Sequence, residues 1–154
     1  MTVFLTFADS YADLLNISVI EHCVLTTLEY QGVSTDTDLS IIVDNDSRIQ
    51  QLNQEFMGID APTDVLAFPA GHLDPDTGRV YLGDVIISFP QAKNHADQTG
   101  HSLAAEINLL VVHGVLHLLG YDHDEPEGKA KMWSAQTQIL TTLGVRNNSP
   151  ELSK

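Results

Sequence analysis

One long apolar segment restricts the folds open to this chain more than any other feature. Between Ser102 and Gly120 the apolar side chains cover nearly the whole circumference of a helix: Leu103, Ala105, Ile107, Leu109, Leu110, Val112, Val115, Leu116 and Leu119. A helix that is apolar on all sides must be enclosed by other elements. Ser102 is a suitable N-cap, and glycine suits a sharp helix end because it enters the left-handed region at low cost. We therefore predict a buried central helix.

Two histidines interrupt this apolar segment at a spacing that suits metal binding. His113 and His117 are four residues apart, which places both imidazoles on one helix face with Cβ atoms about 5–6 Å apart. A turn at Gly120 would bring His123 back to the same place. Three neutral imidazoles with an open fourth position are typical of a catalytic metal site. We predict one metal ion bound by His113, His117 and His123.

The residue after the first histidine bears on the kind of enzyme. The spacing His-x-x-x-His-x-x-Gly-x-x-His is also that of zincin-like proteases, in which Glu follows the first histidine as general base. Gly114 stands at that position here and cannot transfer a proton. The metal scaffold is therefore present without the protease base. A metalloprotease stays open as an alternative.

Other ionisable residues near this helix receive simpler interpretations. His95 and His101 have no ligand-like spacing, and we expect both to face solvent, as we do His72. His22 lies off the apolar stripe of its helix and is also expected to face solvent. Glu106 shares the helix face of His113 and His117. Two interpretations of Glu106 remain open: it orients a metal ligand, or it is an acid favoured by the dipole at the helix N-terminus.

Composition limits the class of protein. We expect residues 1–154 to form a single domain with a frayed polar tail over residues 146–154. The formal charge of −14 (7 basic minus 21 acidic residues) argues against broad, nonspecific nucleic-acid binding. Cys23 is the only cysteine, which weakly favours a reducing compartment. Residues 1–10 lack the basic residues of a signal peptide, and the apolar run over 107–120 is too short and too polar to span a bilayer. We expect a cytoplasmic protein without membrane association.

Strand and helix patterns alternate along the chain. Strands are predicted over residues 2–7, 39–43, 64–68 (closed by Pro69) and 80–88, with helices between and after them. Helix starts are predicted at Ser18 with Glu21 as a capping box, at Asp46 or Ser47, and at Asp124 with Glu127. Alternation of this kind predicts an α/β domain with some parallel pairing in a sheet flanked by helices.

Four sequence blocks resemble the bacterial YbeY family of ribosomal RNA maturation endoribonucleases. In the family's order they are Leu52-Asn53 through Phe56 with Asp60, residues 62–69, residues 83–88 and residues 113–123. The resemblance spans about half of the chain. It implies a small α/β (α+β) fold with a mixed four-stranded sheet. It also implies one metal ion, usually zinc, on His113, His117 and His123; another divalent transition metal such as nickel is an alternative.

The resemblance also implies an activity and partners. The implied reaction is metal-dependent cleavage of single-stranded RNA, in maturation of the 16S rRNA 3′ end and in ribosome quality control. The partners would be single-stranded rRNA and the small ribosomal subunit, and the oligomeric state is left open. A noncatalytic ribosome-associated factor with a structural metal is a further alternative, because it fits the acidic charge and Met57.

Met57 is the main departure from the family pattern. The family typically has Arg after the equivalent of Phe56, and Arg can hold a phosphate bidentately whereas Met cannot. Either another cation, such as Arg48 or Arg79, takes its place, or the activity is weaker or differently targeted. Ala67 in place of the usual Ser is a smaller change.

No general base is evident in the sequence. A metal-bound water is the expected nucleophile, with the ribose 2′-hydroxyl as the alternative. Asp64 and Asp84 occupy strand positions that recur in the family, and Asp122 precedes His123. These three are candidate catalytic residues. The alternative interpretation is a structural hydrogen-bond acceptor for Asp64 and Asp84, and a loop carboxylate for Asp122.

Overall fold

The computed structural model describes residues 2–8, 10–34, 36–122 and 124–144. Within them the elements follow in the order β1 (Thr2–Phe7), a 3₁₀ turn (Ala12–Leu14), α1 (Ile17–Tyr30), β2 (Thr37–Asp44), α2 (Asp46–Met57), β3 (Val65–Leu73), β4 (Val80–Ser88), α3 (Phe89–Thr99), α4 (Leu103–Leu118) and α5 (Pro126–Thr142). The predicted tail over residues 146–154 lies outside the described residues. The α/β class predicted from the sequence is confirmed.

The described strands form one mixed sheet in the order β1-β2-β4-β3. β1, β2 and β4 are parallel, and β3 pairs antiparallel with β4. Parallel neighbours need crossover connections, and α1 supplies the one between β1 and β2. The mixed four-stranded sheet that the family resemblance implied is therefore confirmed.

The two faces of the sheet carry different helices. Successive side chains of a strand point to opposite faces. On β4, Val85 and Ile87 belong to the main core together with α4, whereas Ile86 packs with Ile49 of α2 in a smaller cluster. α4 and α2 therefore lie on opposite faces of the sheet.

α4 is the buried central helix predicted from its apolar circumference. From Glu106 to Leu118 every residue is buried except Asn108 and His117, which are half-buried. The side chain of Ser102 accepts a hydrogen bond from the backbone N–H of Ala105 at 3.1 Å, so the predicted N-cap is also confirmed. This helix fixes the position of both histidines within the core.

β3 differs from its predicted length. It continues through Pro69 to Leu73 instead of ending at the proline. Proline lacks a backbone N–H. It is tolerated on edge strands, because one side of an edge strand forms no hydrogen bonds with a neighbouring strand. β3 is at the edge of the sheet, and its pairing with β4 shifts register between Pro69 and His72. The prediction that Pro69 closes the strand was therefore wrong.

The helix starts also differ by one or two residues from those predicted. The N-cap is the residue directly before the first residue with helical backbone angles. The N-caps are Asn16 in place of Ser18 for α1, Asn45 in place of Asp46 or Ser47 for α2, and Glu125 in place of Asp124 for α5. In α5 the first helical residue is Pro126, whose fixed φ suits that position.

No described helix is by itself long and apolar enough to span a membrane. α3 and α4 pass that test only as a pair, by length and composition, and they are bent by 118° at the break between them.

Candidate functional site

α4 brings the ring nitrogens of the first two predicted metal ligands close together. The Nε2 atoms of His113 and His117 are 3.2 Å apart, and the ring centroids are 4.7 Å apart with an interplanar angle of 79°. His113 is 3% exposed, and His117 is half-buried. His123, the third predicted ligand, lies outside the described residues.

Hydrogen bonds at the opposite ring nitrogens orient both imidazoles. Nδ1 of His117 lies 2.9 Å from the backbone carbonyl oxygen of Tyr121, and Nδ1 of His113 lies 2.9 Å from Oε1 of Gln136. A carbonyl oxygen only accepts, so Nδ1 is the protonated nitrogen and Nε2 keeps the lone pair in the neutral ring. Two Nε2 lone pairs directed at one region suit a divalent transition-metal ion. Within the described residues, no group of three or more His, Cys, Asp or Glu side chains has metal-binding geometry.

The turn after α4 places the carbonyl that His117 uses. Gly120 has φ +99°, a backbone conformation that residues other than glycine rarely adopt. The backbone N–H of Gly120 donates to the carbonyl of His117, and that of Tyr121 donates to the carbonyl of Leu116, both at 3.0 Å. This pair of bonds is a Schellman motif. The predicted glycine turn is confirmed, and it directs the Tyr121 carbonyl back to the imidazole.

Gln136 is a site residue that the sequence analysis missed. It lies on α5 and is 2% exposed. The signal was available, because Gln136 stands at a core position of the α5 stripe, four residues after Met132 and three before Ile139. A polar side chain at such a position requires a buried partner, and His113 supplies it.

Close packing explains why residue 114 is a glycine. A Cβ atom at Gly114 would lie 2.4 Å from Cγ1 of Val85 on β4. Here α4 approaches the sheet so closely that no larger side chain fits without displacement. A glutamate after the first histidine, as in zincin proteases, is therefore incompatible with this packing.

The prediction that His95 and His101 face solvent was wrong, because both lie beside the buried Glu106. His101 is not solvent-facing, because its side chain is only 6% exposed, and His95 is 31% exposed. Nδ1 of His95 lies 2.7 Å from the fully buried Glu106 carboxylate, and Nδ1 of His101 lies 3.6 Å from it. Burial raises the pKa of Glu106, against the lowering effect of the His95 hydrogen bond. Glu106 thus joins α3 to α4 through His95. Nδ1 of His113 and Nδ1 of His117 form their described hydrogen bonds with Gln136 and the Tyr121 carbonyl and not with Glu106. His22 and His72 are exposed as predicted.

The three candidate carboxylates each accept a local hydrogen bond. Asp64 accepts from the backbone N–H of Val65 at 2.9 Å, and burial raises its pKa. Asp84 accepts from the hydroxyl of Tyr81. Asp122 is exposed and accepts from the backbone N–H of Asp124 at 2.9 Å. These contacts agree with the structural interpretation of all three.

The two candidate replacements for the missing arginine differ in availability. Arg79 forms an ion pair with Asp38 at 2.5 Å, and this hydrogen-bonded guanidinium lowers the pKa of Asp38 to about 2. Arg48 lies on α2 and donates to Oε1 of Gln51 at 3.2 Å. Met57, at the end of α2, is 43% exposed. Arg48 is therefore the described arginine that is not engaged with a carboxylate.

A mixed sheet packed on a buried helix with two neighbouring imidazoles defines an α/β protein with a histidine-based site. The sequence profile of the family described as Endoribonuclease YbeY matches residues 9–144. This match covers most of the chain and includes His113 and His117.

Individual relatives agree with the profile. The chain is 38% identical to Endoribonuclease YbeY of Acetivibrio thermocellus over 144 residues, covering 86% of this chain and 89% of the relative. It is 40% identical to Endoribonuclease YbeY of a Roseiflexus species over 151 residues, covering 94% of each. The solution structure of TM1509 from Thermotoga maritima is similar with a TM-score of 0.57 and 25% identity, covering 100% of this chain and 97% of that one. The chain belongs to the YbeY family.

Proposed function

We propose that this protein is a metal-dependent endoribonuclease that cleaves single-stranded ribosomal RNA. The observation that carries the proposal is the pair of Nε2 atoms from His113 and His117, 3.2 Å apart, with both Nδ1 atoms hydrogen bonded. Membership in a family whose relatives are named endoribonucleases supports RNA as the substrate. Residues 1–154 are proposed to act as one domain.

The metal is proposed to be zinc, held by His113, His117 and His123. Neutral imidazoles are good donors for zinc, and nickel suits the same donors. When bound, zinc would polarise a phosphoryl oxygen and lower the pKa of a water to about 7. The relatives' names support an enzyme of this class but do not identify the ion, so the assignment of zinc rests on the donor set.

The chain's own residues prepare the site for this chemistry. Gln136 and the Tyr121 carbonyl keep the proton on Nδ1 of each imidazole, so both Nε2 atoms stay available as donors. Burial of His113 excludes water from one side of the site. The residues therefore supply orientation and a partly dry environment. Asp64 and Asp122 remain candidates for proton transfer, whereas Asp84 lies on the α2 face of the sheet, away from His113 and His117.

Gly114 favours phosphodiester over peptide cleavage. A zincin needs the glutamate at this position to move a proton onto the leaving amine, and general acid–base catalysis typically contributes about 10²–10⁴-fold. Val85 leaves no room for that side chain. Phosphodiester cleavage depends more on stabilising charge around phosphorus, so it is less affected by the absence of a glutamate at this position.

The biological setting proposed is the cytoplasm and the small ribosomal subunit, in maturation of the 16S rRNA 3′ end and in ribosome quality control. The acidic charge of −14 disfavours indiscriminate RNA binding. Selectivity for a defined single-stranded site on a ribosomal particle fits this charge. A noncatalytic ribosome-associated factor is disfavoured by the names of the relatives.

The test is an RNA-cleavage assay and a peptidase assay on one preparation. We expect single-stranded RNA to be cut and unfolded protein substrate to remain intact, with RNA cleavage abolished by chelation and by His113→Ala. Product ends identify the nucleophile, because attack by the ribose 2′-hydroxyl leaves a 2′,3′-cyclic phosphate and attack by water does not.

The control is the His113→Ala protein, purified identically so that a contaminating nuclease becomes visible. RNA cleavage that survives in this variant would refute the proposal of a metal-dependent nuclease. Peptide cleavage that follows metal loading would favour the protease alternative. A protein that binds small subunits but cuts neither substrate would favour the noncatalytic factor.

A further inference from the structure

A groove of about 460 Å³ lies on the sheet face opposite α4. We name it the α2 groove; Arg48, Leu52 and Phe56 of α2 line it together with Asp44, Phe68 and Asp84 of the sheet. Asp84 points to the α2 face, whereas its neighbour Val85 points to α4. The α2 groove is therefore distinct from the site of His113 and His117.

Two aromatic rings form one wall of the α2 groove. The centroids of Phe56 and Phe68 are 5.3 Å apart with an interplanar angle of 61°. Phe56 is 60% exposed, although it is a large apolar side chain. Bases of single-stranded RNA stack on such exposed rings without regard to sequence. Phe56 thus presents a stacking surface at the mouth of the groove.

Arg48 adds a positive charge to the same groove. Its guanidinium donates to the neutral Gln51 side chain, and it has no carboxylate ion pair within the part of the chain that the structure describes. A guanidinium in this state retains donors for a phosphate. Ring and cation together match a nucleotide, which has a planar base and an anionic phosphate.

Asp84 supplies a hydrogen-bond acceptor within the groove. Its Oδ1 accepts from the hydroxyl of Tyr81, which also lies 2.6 Å from Oγ of Ser40. A carboxylate has about four lone-pair positions, so Asp84 can accept further N–H groups. Carboxylates accept from the exocyclic amine of cytosine. Uracil has a carbonyl oxygen at that position, which an acceptor repels.

We propose that the α2 groove binds an unpaired nucleobase with an exocyclic amine, stacked on Phe56, with its phosphate on Arg48. This inference rests on the proposed function, since it assigns a second contact to the same RNA strand. β3 is the edge strand of the sheet, with the α2 groove on one face of the sheet and α4 on the other. The exposed ring of Phe56 beside the cation of Arg48 is what favours a nucleotide as the occupant.

The experiment titrates the full-length, metal-bearing protein with cytidine 5′-monophosphate, followed by NMR. A mononucleotide has no internal phosphodiester, so its binding does not depend on nuclease activity. We expect shifts at Phe56, Phe68 and Arg48, and weaker binding of uridine 5′-monophosphate. Phe56→Leu and Arg48→Gln should each weaken cytidine 5′-monophosphate binding by roughly tenfold, as loss of one stacking or phosphate contact would. The Michaelis constant for a C-rich RNA should rise in parallel.

Matched controls are Phe4→Leu, an exposed phenylalanine on β1, and Lys93→Gln, an exposed cation on α3. Both should bind the nucleotide as the wild type does. If Phe56→Leu and Arg48→Gln also bind as the wild type does, the groove assignment fails even where RNA is cleaved. Equal affinity for cytidine and uridine 5′-monophosphate would show that Asp84 does not accept a hydrogen bond from the exocyclic amine. Groove binding by a protein that cleaves no RNA supports the groove and overturns the nuclease proposal.

Discussion

Oε1 of Gln136 on α5 lies 2.9 Å from Nδ1 of His113 on α4, deep enough that both side chains are nearly inaccessible to solvent. This bond connects the last described helix to the central one at the face that carries His113 and His117. It also sets which nitrogen of His113 is available as a donor. The packing of α5 is thereby coupled to the chemistry of the site.

Gln136→Met should weaken zinc binding while retaining the fold. Methionine preserves the shape, but its sulfur is only a weak acceptor for the Nδ1–H hydrogen bond, so the imidazole loses its fixed orientation. Loss of such a hydrogen bond typically lowers metal affinity about 10–100-fold. A competition titration with a chromogenic chelator measures the change, with Gln138→Met on the exposed side of α5 as control. Unaltered zinc affinity in Gln136→Met would contradict this role.

His117→Ala should remove most of the bound metal, because two remaining ligands hold an ion poorly. Metal analysis of protein purified without an affinity tag is the measurement. The exposed His72 provides the control, and His72→Ala should retain the wild-type metal content. A stoichiometric metal content in His117→Ala would show that the ion is held elsewhere.

Gly114→Ala should destabilise the protein by roughly 1–3 kcal/mol, the usual effect of overpacking a core. The new methyl group would overlap Cγ1 of Val85, whose branch point is close to the backbone and cannot move far. Urea denaturation measures the loss in free energy of unfolding. Adding Val85→Ala to Gly114→Ala should be less destabilising than the sum of the two single changes. Strict additivity would mean that these two residues do not collide.

Glu106→Gln should change how stability depends on pH. Because burial raises the pKa of Glu106 in the folded state, folding favours its protonated form. The associated stability is fully present below the unfolded carboxyl pKa and is lost as pH rises through the folded value. Denaturation at a series of pH values should show wild type losing stability relative to Glu106→Gln over that interval. Glu29→Gln, an exposed change on α1, is the control, and parallel curves for Glu106→Gln and wild type would refute the expectation.

Met57→Arg should lower the Michaelis constant for RNA by roughly tenfold at low salt, since a charge-assisted contact to phosphate contributes about 1.5–3 kcal/mol. Met57 is exposed at the end of α2, so a longer polar side chain fits without repacking. Met57→Gln separates charge from polarity. Cleavage kinetics that do not change with Met57→Arg at any salt concentration would show that this position does not limit activity.

The sequence by itself determined the central helix, its two termini and the spacing of its histidines. Ser102, the apolar circumference and Gly120 are local signals, and each depends on a few neighbouring residues. His113 and His117 share a helix face because 3.6 residues make one turn, so their proximity needed no tertiary information. The α/β class followed in the same way from alternating patterns.

Tertiary structure alone decided the partners of these residues. Gln136 is 23 positions from His113, and Val85 is 29 positions from Gly114, so no local period joins either pair. His101 is half-buried, with Nδ1 3.6 Å from the carboxylate of Glu106, which is enclosed by the core. Local rules specify which way a side chain points along its own element. What it meets there depends on how helices and sheet pack, which is decided by burial summed over the whole chain.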